Sequence, residues 1–446
     1  MLSEAALGFF YLKNMSNEIQ YKRIQLENGL KVVGEIHPYG NAVSLGFALS
    51  LGSRDEQDAD LQGACHLLEH LCFKSTEKYN SFELVNKWES RGGDLNAFTA
   101  KEYTCFHAYV LKEDLEMGLD ILTQIVFYNN WSEKDFKAEQ SVVSQEILVS
   151  HDNPEDFLFD DFTSKYFEGG PMAHPIFGSI ESVRDMDIDK LRAFQEMYYR
   201  PENCVLAVAG NFDWEELIKI LPKFLPKSKS EFIDNRVYPP LRGNSFLHFE
   251  KRKSHHNHFL MSYPSHSLRE GRFFESSILT NHLSGGMNSL LFQKIREDRA
   301  LCYQISASYG PSQQAGMFSL YSSTQEDKLI ALVEESLSLL KEIKENSLQQ
   351  SEIDASAEQI RCGLLLGETD IDSRMNSLIY DEIFSREYLS VEQLIEGLQK
   401  VDSDSMREYL QKYFELERSS FYFFGSLNIS TQKSLESVCS RFMLDA

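Results

Sequence analysis

Leu61–Thr76 reads LQGACHLLEHLCFKST, and the fold follows from what this stretch can and cannot bury. His66, Glu69 and His70 stand at i, i+3 and i+4, so on an α-helix their side chains share one face. Ala64, Leu67, Leu68 and Leu71 fall on the opposite side. With Cys65, Cys72 and Phe73 the helix is apolar almost all round, the pattern of a buried helix. A buried carboxylate with two imidazoles is costly unless something pairs with them, and a divalent cation pairs with all three. Two histidines one turn apart bind one Zn2+ from a single helix, and a carboxylate beside them can draw a proton from water there.

The pattern His-x-x-Glu-His inverts the commoner His-Glu-x-x-His and is the inverzincin arrangement. The competing reading is a core helix that carries histidines and no metal. Cys65 and Cys72 read as small core residues rather than ligands.

The chain around this helix has 446 residues, too many for one core and enough for two domains of roughly 200 each. At 42% hydrophobic and 25% charged it has the composition of an ordinary globular protein. A net charge of −24 argues against nucleic acid or an anionic membrane as partner. It favours basic substrates only mildly, since solubility explains it equally well. Seven scattered cysteines without a CxxC pair read as reduced thiols, which points to a cytoplasmic location. The opening MLSEAALGFFYLKNM has no basic n-region and no small-residue cleavage site, so no signal peptide is expected. Its apolar run is too short to span a membrane, and with Glu4 present and arginine absent it is a poor mitochondrial address. Met15 is an alternative start.

Upstream of the motif, Ile24–Glu35 and Ala42–Leu51 alternate as strands, with Asn28-Gly29 as a hairpin turn. Downstream, Ser81–Ser90 reads as a helix capped by Ser81, Leu95–Val110 as β, and Lys112–Phe127 as an amphipathic helix. Ser132, with Asp135 three on, opens a long helix to about Val149; Asp152-Asn153-Pro154 stops it, and helix resumes through Tyr166. A short helix precedes Arg200-Pro201, and Cys204–Ala209 is an apolar strand. Pro222, Pro226, Pro239 and Pro240 among Lys and Ser mark a linker, 222–246.

Beyond it come strands at His256–Tyr263, Tyr303–Tyr309 and Gly316–Ser323, and helices at Ser289–Arg299, from Glu326, and at Ser351–Leu365. Corresponding elements of the two halves are offset by roughly 213–219 residues, which suggests a duplicated unit. The expected fold is α+β: two homologous α/β-sandwich domains, 17–221 and 247–446, each a mixed antiparallel sheet with helices on one side. The second copy lacks His-x-x-Glu-His, and Asn281–Ser289 lies nearest to its place. His255, His256 and His258 read as a solvent-facing or interface cluster rather than a second metal site.

A catalytic zinc takes three protein ligands and one water, so a third ligand must come from elsewhere. Glu139 and Glu146 on the long helix are seven apart and share a face, flanked by Ala138, Val142, Val143 and Ile147. The residues alone do not choose between these glutamates, nor between a metal role and a solvated stripe.

HLLEH, the upstream GSRDE, the following FKST, then GGDLNAFTAKE and VVSQEILVSHDNPED together resemble the pitrilysin family of zinc peptidases. That family includes insulin-degrading enzymes, mitochondrial processing peptidase and two-domain bacterial relatives. The resemblance runs from about Ile24 to about Leu427. It implies that His66, His70 and Glu146 hold one Zn2+ per chain, that Glu69 is the general base, and that Glu139 supports the ligands without binding the metal. LFQKIREDRALCY resembles the family's R-x6-Y element, which implies that Arg296 and Tyr303 reach the substrate from the metal-free second domain. A guanidinium and a phenol there can stabilise the oxyanion of peptide hydrolysis. Asn96 and Ala97 match the family's edge strand, where a substrate backbone adds as a further strand.

The implied activity is a zinc endopeptidase of peptides or unfolded segments in a closed chamber between domains, working as a homodimer with complete sites. The alternative is a non-catalytic or partner-dependent subunit of a heterodimer. The glycine-rich loop that a partner subunit would supply is not evident beyond Gly285-Gly286.

Overall fold

Asn28-Gly29 turns the chain because Gly29 takes φ +87°, a left-handed conformation that suits glycine. The turn joins β1 (Gln20–Gln25) to β2 (Lys31–Ile36) as an antiparallel hairpin. The computed structural model describes residues 19–227, 234, 236–238, 241 and 243–445. The leader reading of residues 1–15 and the centre of the linker fall outside them.

The chain continues with β3 (Ala42–Leu49), α1 (Ala64–Cys72), α2 (Ser81–Glu89), β4 (Asp94–Thr99) and β5 (Thr104–Leu111). Then come α3 (Leu115–Phe127), α4 (Glu133–Asp152), α5 (Pro154–Tyr166) and β6 (Cys204–Gly210). The later half holds β7 (Leu247–Lys251), β8 (Asn257–Ser265), α6 (Phe273–Ser284), β9 (Gln304–Pro311) and β10 (Gly316–Thr324). It continues with α7 (Glu326–Asn346), α8 (Ile371–Ile383), β11 (Ser420–Gly425) and a C-terminal helix, Ile429–Asp445.

Two sheets result, ordered β1-β2-β6-β3-β5-β4 and β7-β11-β8-β10-β9. In the first, β2 runs parallel to β6; in the second, β7 runs parallel to β11; the other pairs are antiparallel. Without β1 the first order maps strand for strand onto the second, so the duplicated α+β unit is real. In the second unit α6 takes the place between strands that α1 takes in the first.

The chain forms two compact units that are not contiguous in sequence. The first takes the chain to Val149, then His174–Val237 and Gly367–Val391. The second takes Ser150–Ala173, Tyr238–Leu366 and Glu392–Ala446. Relative to a division at the linker, each unit has therefore received a helical segment from the other half of the sequence.

Strand alternation shows where these segments go. On one face of the first sheet Val32, Leu45, Phe47, Phe106, Leu206 and Val208 pack with α1, α3 and α4. The next residues along the strands, Val33, Ala48, Cys105, Val205, Ala207 and Ala209, face the other way and pack against Ile371, Met375, Leu378, Ile379 and Ile383 of α8. Gly46 lets this helix approach, since a Cβ there would stand 2.7 Å from the Met375 sulfur. In the second unit α5 covers the sheet in the same way, with Leu158, Phe162 and Tyr166 against Leu260, Tyr321, Tyr422 and Phe424. Most helices thus lie on one side of each sheet, and one long-range helix closes the other.

Two local expectations are corrected. Asn80, not Ser81, caps α2, in a capping box with Glu83. The helix expected over Ser289–Arg299 is present, but it is wound as a π-helix over Phe292–Glu297, where the Asp298 N–H reaches back to the Gln293 carbonyl at 2.8 Å.

Candidate metal and catalytic site

The helix that carries the motif is set by its first turn. Gly63 takes φ +90°, and a Cβ there would meet the Phe177 carbonyl oxygen at 2.5 Å. The fully buried Glu56 carboxyl group accepts the N–H groups of Gly63 and Cys65, both at 2.8 Å, and so caps two otherwise unpaired donors at the start of α1. Burial still outweighs these bonds and pushes the Glu56 carboxyl up to about 8. Ala64, Leu67, Leu68 and Leu71 are completely buried, and Cys65 and Cys72 are core residues as expected.

The opposite face points at α4. His66 Nε2 and His70 Nε2 lie 3.8 and 3.4 Å from Glu146 Oε2. One ligand atom from each of the three residues lies within 4.8 Å of the others. Burial, and then the neighbouring His70, push the His66 imidazole down to about 3, so it is neutral at ordinary pH, as a metal ligand must be. Its ring packs edge-on to Phe177 at 4.6 Å, and its Nδ1 is buried without a hydrogen-bond partner. Among the described residues no other such group of three forms, and the run at His255–His258 is not one. His255 and His256 are exposed, as expected, whereas His258 is half-buried, with its Nδ1 2.8 Å from the Tyr321 hydroxyl.

The two glutamates of α4 separate cleanly. Glu139 is 2% exposed; its Oε2 meets His70 Nδ1 at 3.0 Å and its Oε1 meets Lys74 Nζ at 2.5 Å. With Nδ1 so engaged, His70 leaves Nε2 for a cation. Glu146 has a side chain 41% exposed, facing both imidazoles. Glu69 stands on α1 beside them, accepting a hydrogen bond from Thr99 Oγ1 at 2.5 Å. Burial raises its carboxyl, against the lowering effect of Thr99 and His70.

Asn96 and Ala97 lie on β4, which ends the first sheet and, among the described residues, pairs only with β5. The Ala97 N–H donates to Asn96 Oδ1 at 2.9 Å. Arg296 and Tyr303 belong to the second unit, where the structure brings them together: the guanidinium lies 4.6 Å from the Tyr303 ring and 4.4 Å from that of Phe292. Tyr303 is 82% exposed. Three residues of this neighbourhood were not singled out from sequence: Glu56, Lys74 and Thr99. All three stand inside the quoted motif stretches, yet each acts through a partner that periodicity does not supply.

Residues 31–179 match the family model described as insulinase, peptidase family M16, and residues 185–360 match that of the peptidase M16 inactive domain. An "uncharacterized zinc protease" of Mycobacterium leprae is 32% identical over 386 residues, covering 85% of this chain and 86% of that protein. One of Bacillus subtilis is 28% identical over 393 residues, covering 88% and 95%. Among solved structures, a protease from Helicobacter pylori superposes with a TM-score of 0.83 at 18% identity, over 91% of this chain and 99% of that one. A peptidase M16 inactive domain from Pseudomonas fluorescens does so with 0.84 at 15% identity, over 92% and 98%. At such identities the superpositions speak for the fold.

Proposed function

The chain belongs to the insulinase (M16) peptidase family, and from that premise we propose that it is a zinc-dependent endopeptidase acting on peptides or unfolded protein segments held as an added β-strand. The observation that carries this reading is the convergence of His66, His70 and Glu146 beside the half-buried Glu69. Two imidazole nitrogens and one carboxylate are a donor set that fits a catalytic zinc, and the neutral His66 and the oriented His70 suit it further. These three residues would hold one Zn2+ per chain, with Glu139 orienting His70. When bound, the ion supplies a Lewis acid that acidifies water and polarises a carbonyl.

The remaining chemistry belongs to the chain. Glu69 takes the proton of the attacking water and returns it to the departing amine; burial, which raises its carboxyl, suits both transfers. The open side of β4 offers main-chain pairing to a substrate backbone at Asn96 and Ala97, so recognition depends weakly on sequence. The guanidinium of Arg296 and the exposed phenol of Tyr303 are donors suited to a developing oxyanion. The match of residues 185–360 to the model described as an inactive domain supports a metal-free second unit, and contact with substrate through Arg296 and Tyr303 is part of the same proposal. A homodimer enclosing its substrate in a chamber, in a reducing, cytoplasm-like compartment, belongs to the same proposal, and the seven free thiols support the compartment.

Purified protein is expected to carry about one zinc per chain. Glu69→Gln is expected to lower turnover of a quenched peptide about 100-fold or more while zinc stays bound. A zinc-free protein that cleaves, or an active Glu69→Gln variant, defeats the assignment. A monomer by light scattering defeats the dimer alone.

A further inference from the structure

The base of this site hangs on a strand rather than on its own helix alone. Glu69 is a glutamate, with a long side chain that α1 does not by itself hold at one position. The Thr99 hydroxyl donates to its Oε2 at 2.5 Å, the short geometry of a hydroxyl on a carboxylate. Its Oε1 has no donor among the described residues and is left to exchange a proton. Threonine is apt for the task. Its branched Cβ restricts χ1, and its hydroxyl donates without bringing a charge beside two imidazoles.

Thr99 is also the last residue of β4, opposite Thr104 of β5. The chain just beyond it is bolted down. The Ser53 N–H donates to the Ala100 carbonyl at 3.1 Å and the Arg54 N–H to that of Lys101 at 2.9 Å. Arg54 pairs with Glu102. Gly52 packs so closely that a Cβ there would stand 2.5 Å from the Lys101 backbone. The same turn continues into Glu56, which caps α1. The end of the edge strand and the start of the motif helix are thus fixed by one segment, and the Thr99–Glu69 bond closes the loop between them.

We infer that Thr99 is a positioning residue for the reaction: it holds the Glu69 carboxylate in register with the β4 edge on which the substrate backbone lies. The inference rests on the peptidase reading above and deepens it, because it makes the strand that receives the peptide also the strand that aims the base.

The test uses the full chain with Thr99→Val, which keeps the shape and removes the donor, and Thr99→Ser, which keeps the donor. Three quantities are read: kcat and KM on a quenched peptide, zinc per chain, and the affinity of metal-stripped protein for an uncleavable peptide by anisotropy. Thr99→Val is expected to lower kcat about 10- to 100-fold, with KM, zinc content and peptide affinity within about twofold of wild type. Thr99→Ser is expected to recover most of the lost kcat, which a merely structural defect would not predict. A kcat for Thr99→Val within about twofold of wild type overturns the inference, as does a loss that falls on KM, peptide affinity or zinc instead. Equal loss in the Ser and Val variants overturns it too. A wild-type protein that holds zinc and cleaves no peptide overturns the peptidase reading, and this one with it.

Discussion

His70 presents Nε2 to a cation only if Nδ1 carries the proton, and Glu139 decides that by accepting at Nδ1. Glu139 in turn is anchored by Lys74, whose ammonium takes the other carboxylate oxygen at 2.5 Å. The consequence lies in metal affinity and, because Glu139 is buried, in folding as well. The Lys74 side chain is 34% exposed but its partner carboxylate is only 3% exposed and keeps His70, so losing the lysine should cost the metal-free protein about 1–3 kcal/mol. Lys74→Met is expected to weaken zinc binding about 10- to 100-fold in a chelator competition, with Lys74→Arg close to wild type. Unchanged affinity in Lys74→Met would remove the lysine from the site. The contrast in legibility is physical. His66, Glu69 and His70 were readable because all three lie within about one helical turn, where a period of 3.6 fixes their geometry. Glu139 and Glu146 share a helix face, so periodicity left them equivalent and only the family resemblance told them apart. What separates them is which one Lys74 and His70 Nδ1 reach, and contacts across 69 residues leave no periodic trace.

At the scale of elements, most strands were legible from their apolar or alternating runs, but β7, β11 and the helix that closes the first sheet were not. α8 meets β2 through residues more than 300 positions apart, and the contact is partly ionic. Arg374 donates twice to the Glu35 carboxylate, at 2.8 and 2.5 Å, and the Tyr388 hydroxyl donates at 2.9 Å. Burial pushes the Glu35 carboxyl up; the bonds from Arg374 and His37 more than offset it and hold it at about 2. The folded value thus lies below the unfolded value of roughly 4.5, so the ionised form favours the fold. The associated stability, about 3 kcal/mol, is fully present above pH ~4.5 and is lost as pH falls toward ~2. Arg374→Met strands a buried carboxylate and is expected to cost about 3–5 kcal/mol at neutral pH. Acidification should then destabilise the variant less than wild type, because the protonated acid suits an unpaired burial. Urea midpoints at pH 7 and pH 3.5 check both statements, and parallel acid losses in the two proteins would refute the second.

For the whole molecule, the exchange of segments makes each half of the sequence an incomplete fold. A chain ending at Val237 lacks α8, and with it the cover of Val33, Ala48, Cys105, Val205, Ala207 and Ala209. The five apolar α8 residues in that layer, at roughly 1.5–3 kcal/mol each, amount to about 10 kcal/mol, comparable to the entire stability of an ordinary domain. A chain beginning at Tyr238 lacks α5, which covers Leu260, Tyr321, Tyr422 and Phe424. This also explains why the duplication was legible but its division was not: strand order repeats along the sequence, whereas the helix that finishes each copy comes from the other copy's stretch. Expressed alone, residues 1–237 and 238–446 are each expected to aggregate or to bind a hydrophobic dye without a cooperative melt. Co-expressed, they should co-purify as a one-to-one complex with a single sharp transition, because each supplies the other's missing layer. A soluble, cooperatively melting half would mean that the exchanged helices are dispensable and that each sheet can leave one apolar face bare.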